Sequence, residues 1–117
     1  MATYTKRALS GSTNGRQIKV AATATAGTTI HTAVAGTSDF DEVWLWCVNS
    51  SIVAVKLTVE FGGVSDPDDL IEVTVSPEEG LLLVCPGLVL QNGLVIGAFA
   101  GTADVLLISG FVNRITA

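Results

Sequence analysis

Negative charge is missing from the first third of this chain. No Asp or Glu precedes Asp39, while Lys6, Arg7, Arg16 and Lys19 all fall before it. That segment is formally +4, and residues 39–117, with two basic against eleven acidic residues, are −9. Other absences narrow the chemistry. A single histidine, His31, rules out a His-rich metal centre, and two cysteines without a His cluster do not make a zinc site. There is no glycine loop ending in Lys-Ser/Thr to cradle phosphate, and no Gly-x-Ser-x-Gly nucleophile turn. No helical period survives for three turns, so an amphipathic helix is not expected. Charged residues are only 15% against 49% hydrophobic, which excludes disorder for the bulk of the chain.

What is present is β composition: Val, Leu, Ile and Ala with Thr and Gly, suited to a pleated, half-buried surface. At 117 residues the chain is one domain by length. Residues 1–16, with Gly11, Ser12, Asn14 and Gly15, have no periodicity and read as an extended basic arm, ordered only where something binds it. Residues 17–117 read as the folded body. Strands are expected over 17–25, 28–34, 42–49, 52–61, 70–75, 80–85, 88–90, 94–100 and 104–115, with Gly110 a bulge in the last. In 42–49 both faces are apolar, so both should be covered. Lys56, Thr58 and Glu60 should share a wet face, and Pro86-Gly87 and Gln91-Asn92-Gly93 should turn the chain. Short strands at this spacing predict an all-β, antiparallel β-sandwich of about eight strands, jelly-roll-like, behind the N-terminal arm.

Each candidate for chemistry has a plainer reading beside it. His31 stands among Thr residues with no acid close in sequence to orient it, and a solvated face or an interface hydrogen bond outweighs a general base. Asp66-Pro67-Asp68-Asp69 lacks the alternating ligands and closing Glu of a calcium loop. Asn49-Ser50-Ser51 matches the glycosylation triplet, which matters only in a secreted chain, and the opening residues lack the apolar core of a secretory signal. Residues 80–103 carry no charge, yet the turn signals favour buried strands over a membrane span. Cys47 and Cys85, in apolar strand sequence, read as buried free thiols, with a disulfide as the alternative. Trp44 and Trp46 share one strand face and are open to three readings: core, subunit-interface anchors, or a platform for a sugar ring. Neither an enzyme nor a cofactor is implied. The body's negative charge argues against nucleic acid, and the four arm cations are better suited to an acidic protein surface.

The acid-free basic arm (Lys6-Arg7, Arg16-Gln17-Ile18-Lys19), the small β-sandwich, the low Lys content and the lack of a catalytic constellation together resemble the small decoration, or cement, proteins of tailed-bacteriophage heads. That resemblance implies a structural virion protein, made in the host cytoplasm and bound to the outer capsid surface. It implies a homotrimer that bridges major capsid subunits, using no cofactor, nucleic acid or membrane. Lys6, Arg7, Arg16 and Lys19 would then be the capsid-docking arm, and Trp44 and Trp46 candidate subunit-interface anchors. The alternative is a carbohydrate- or receptor-binding module of a phage fibre or attachment structure.

Overall fold

The computed structural model describes residues 2–117, which form nine strands in two antiparallel sheets. In chain order these are β1 (Thr3–Ala8), β2 (Ile18–Lys19), β3 (Thr28–Thr32), β4 (Phe40–Asn49), β5 (Val55–Phe61), β6 (Leu70–Val75), β7 (Leu82–Leu90), β8 (Val95–Ala100) and β9 (Leu106–Thr116). The larger sheet runs β1-β9-β4-β7, with β2 also on β9; the smaller runs β3-β8-β5-β6. Since β1 and β2 flank successive stretches of the same edge of β9, they act as two halves of one broken first strand. Counted so, eight strands change sheets at every connection except β5 to β6, which is jelly-roll order; the antiparallel β-sandwich is as the sequence predicted, while the strand order comes from the structure.

Alternation of side chains explains the core. Val43, Leu45 and Cys47 of β4 point inward with Ile108 and Val112 of β9, and all five are buried. They meet Ile30, Leu57, Val59, Ile96 and Ala98 of the smaller sheet. Each fully buried Leu or Ile contributes about 1.5–3 kcal/mol. Cys47 and Cys85 lie in this core as free thiols, and burial pushes Cys47 up to about 11.

Several local expectations give way to tertiary context. The strand expected over 17–25 shortens to β2, because residues 21–26 bend across the outer face of the smaller sheet. The hydroxyl of Thr28 accepts the Ala21 and Ala22 amides there, and the Ala22 carbonyl accepts the Ala100 amide. This bend buries Thr58 and Glu60, so the wet face expected for β5 is wet only at Lys56. Residues 52–54 are not strand, and Ile52 is exposed. Buried Asn49 closes that corner: its amide donates to the Val53 and Val75 carbonyls, and its oxygen accepts from Ser51. Pro86-Gly87 does not end a strand; β7 runs through it as one of two register shifts against β4. An edge strand tolerates the missing proline N–H. Gly110, expected as a bulge, pairs in register with Leu45; glycine is needed because a Cβ would fall 1.9 Å from the Trp44 carbonyl oxygen. The turn at Asn92-Gly93 is as expected, with positive φ at both residues.

The N-terminal segment is extended, as an arm should be, but it is paired. All six residues of β1 match β9 in an unbroken register, from Thr3 against Thr116 to Ala8 against Phe111. Leu9 is buried in the core, and the Gly11 amide donates to the Ile30 carbonyl. Packing therefore shows no break at residue 16. The side chains of β1 are exposed on both faces, because the larger sheet runs past the smaller one. This overhang fits a molecule measuring 48 × 27 × 21 Å.

Candidate functional site

Among the described residues no second layer covers the outer face of the larger sheet, and its side chains form cross-strand rows. Tyr4, Ile115 and Phe40 make the first; Lys6, Asn113, Glu42 and Val89 the second. Ala8, Phe111, Trp44 and Pro86 follow, then Ser109, Trp46 and Leu83, and last Lys19, Leu107 and Val48. Strand spacings give the face about 27 Å by about 14 Å. Tyr4 is 71% exposed, Val89 53% and Leu83 45%, so the apolar area is open to solvent. Within the chain, therefore, 42–49 is covered on one side only, and no loop covers the other among the described residues.

At its centre Trp44, Trp46 and Phe111 gather with ring centroids 6.0–6.3 Å apart. All three are half-buried, against each other and against the backbone. Trp44 lies so close to Gly87 that a Cβ there would come within 2.9 Å of its ring. The indole N–H of Trp44 donates to Glu42 Oε1 (2.8 Å), and the Asn113 amide donates to the same oxygen (3.0 Å). Those two bonds, the Trp44 bond first, hold the Glu42 carboxyl below the usual range. Lys6 Nζ sits 4.4 Å from the Phe111 ring centroid, a cation–π contact joining β1 to the aromatic centre.

The four predicted arm cations lie along one sheet border but do not form one patch. Lys6 and Lys19 point to the aromatic face from β1 and β2, whereas Arg7 points to the opposite face of the overhang. Arg16 is exposed in the connection between the two strands. Trp44 and Trp46 lie in neither core nor a closed pocket; they are the middle of this open face. Phe111, Phe40 and Tyr4 were missed as its members. Only the pairing of β9 between β1 and β4 brings residues over 100 positions apart into one row.

His31 is neither solvated nor at an interface: it is 2% exposed and bonded to the fully buried Asp41. The Ser10 amide donates to His31 Nδ1 (2.9 Å), so the ring proton lies on Nε2 and donates to Asp41 Oδ2 (2.8 Å). Arg114 donates twice to the same carboxylate, from Nε and Nη2. With both ring nitrogens committed, His31 has no lone pair left to take a proton from a substrate. The cluster ties β3, β4 and β9 to Ser10 at the arm's root. No protein-family model, curated protein or solved structure matches this chain.

Proposed function

We propose that this chain is a non-catalytic attachment protein that decorates the outer surface of a phage capsid and bridges its major capsid subunits. The supporting observation is the uncovered aromatic face, bordered by a basic edge strand whose outer backbone groups have no strand partner among the described residues. A soluble domain rarely leaves so wide an apolar face open without a binding role. The dimensions also set how it binds. A footprint of about 400 Å² is half of what one partner contributes to a stable interface. Copies associate through this face, and repetition of the trimer around a symmetric lattice turns each weak capsid contact made by the basic edge into strong attachment. Lys6, Arg7, Arg16 and Lys19 favour acidic ground, and the free edge of β1 can add a strand from a shell protein.

The test is occupancy on expanded tailed-phage capsids, imaged with excess purified protein. Wild type should fill regular sites, Lys6→Glu/Arg7→Glu should lower occupancy, and Trp46→Glu/Phe111→Glu should abolish it. Full occupancy by both variants would sink the reading. A glycan-binding module is the second reading, favoured by Glu42 and Asn113 set beside the rings. It requires saturable glycan binding that Trp44→Ala removes, with no capsid decoration.

A further inference from the structure

The outer face of the smaller sheet carries a different feature, a pocket of about 360 Å³. Its floor is set by register: Thr29 of β3, Gly97 of β8 and Glu60 of β5 lie side by side, and Gly97 contributes no side chain between the other two. Gly62, Val64 and Val95 close the far end. A Cβ on Gly97 would meet Glu60 Oε1 at 2.9 Å, so glycine there keeps the carboxylate in the wall.

Glu60 is only 2% exposed. The Gly27 amide donates to Oε1 (2.7 Å) and the Thr25 hydroxyl to Oε2 (2.5 Å). A carboxylate offers about four acceptor positions, so two remain. Asp41, equally buried, shows what this chain does with such a group: Arg114 compensates its charge and His31 donates a further hydrogen bond. Glu60 has no cation in ion-pair reach among the described residues, although a buried charge left without a partner is costly. The missing partner fits the pocket, which offers Val64, Leu94 and Val95 to an aliphatic stem on the way to the carboxylate.

We propose that this pocket binds an alkylammonium or alkylguanidinium group, with the cation on Glu60 and the stem on the valine-lined wall. The inference is independent of the attachment reading, since the pocket and the aromatic face lie on different sheets. It is tested by amide chemical-shift titration with N-acetyl-lysine-amide, with n-butylammonium, and with the neutral N-acetyl-norleucine-amide. At least one cationic probe should saturate shifts at Gly27, Gly63 and Gly97, with a Kd on the order of 1 mM. Tighter binding of the lysine amide assigns a protein side chain as the source, and equal or tighter binding of butylammonium a free amine. Glu60→Gln, which keeps the shape, should weaken binding at least about tenfold. Should that variant unfold, Val64→Trp closes the mouth from an exposed position and should abolish the shifts. Equal binding of the norleucine amide, undiminished binding to folded Glu60→Gln or to Val64→Trp, or no saturation by either cation would overturn the proposal.

Discussion

Asp41 and Gly110 carry more of the architecture than their size suggests. Burial alone would push the Asp41 carboxyl upward; the hydrogen bonds from Arg114, then His31, outweigh it and hold it below the ordinary value of 3.8. A carboxylate depressed by folding adds stability that is complete above its unfolded pKa and is lost as pH falls through its folded one. Urea unfolding should therefore show stability declining below about pH 4, and Asp41→Asn should flatten that decline. At neutral pH the same variant should lose about 3 kcal/mol, because Arg114 and His31 are left without the charge they surround. A pH profile parallel to wild type would assign the decline to other carboxylates. Gly110→Ala should cost more than about 3 kcal/mol by forcing β9 away from β4, measured as a fall in thermal midpoint.

The informative element is β1. Its backbone is tied to β9 and its side chains are exposed, while the core anchor lies just beyond it at Leu9. Removing residues 2–7 should leave one cooperative unfolding transition with a modestly lower midpoint. Leu9→Ala should be worse than that truncation, at about 2–5 kcal/mol, because it opens a cavity between the sheets. If the truncation proved the more damaging, the strand would be a structural part of the sandwich and ill suited to engaging a partner. Any truncation through residue 16 removes Leu9, Ser10 and Gly11 too, so it tests folding as well as attachment.

At the scale of the molecule, one sheet carries the open aromatic face and the other the carboxylate pocket. Association through the apolar face should give a species of about three times the 12.1 kDa chain mass, and sedimentation equilibrium measures it. Phe111→Glu sits at the centre of that face, outside the core, and should shift the equilibrium to monomer without unfolding the protein. A wild-type chain monomeric at all concentrations would remove the trimer and leave the lattice to supply all multivalency.

An apolar strand run over 42–49, binary alternation over 70–75, turn chemistry at Asn92-Gly93 and the want of any helical period determined an all-β sandwich from sequence alone, because side chains on a strand point alternately to its two faces. Composition likewise placed Cys47 and Cys85 inside. Tertiary structure decided which apolar face met the other sheet, since alternation marks two faces without saying which is covered. It also decided the fate of polar residues that looked solvated. His31 gained an acid ten residues away, and Glu60 was covered by a bend thirty-five residues before it, through contacts that no local pattern records. The row joining Tyr4, Ile115 and Phe40 exists for the same reason: strand pairing unites distant segments, and its register is settled by how the whole core packs.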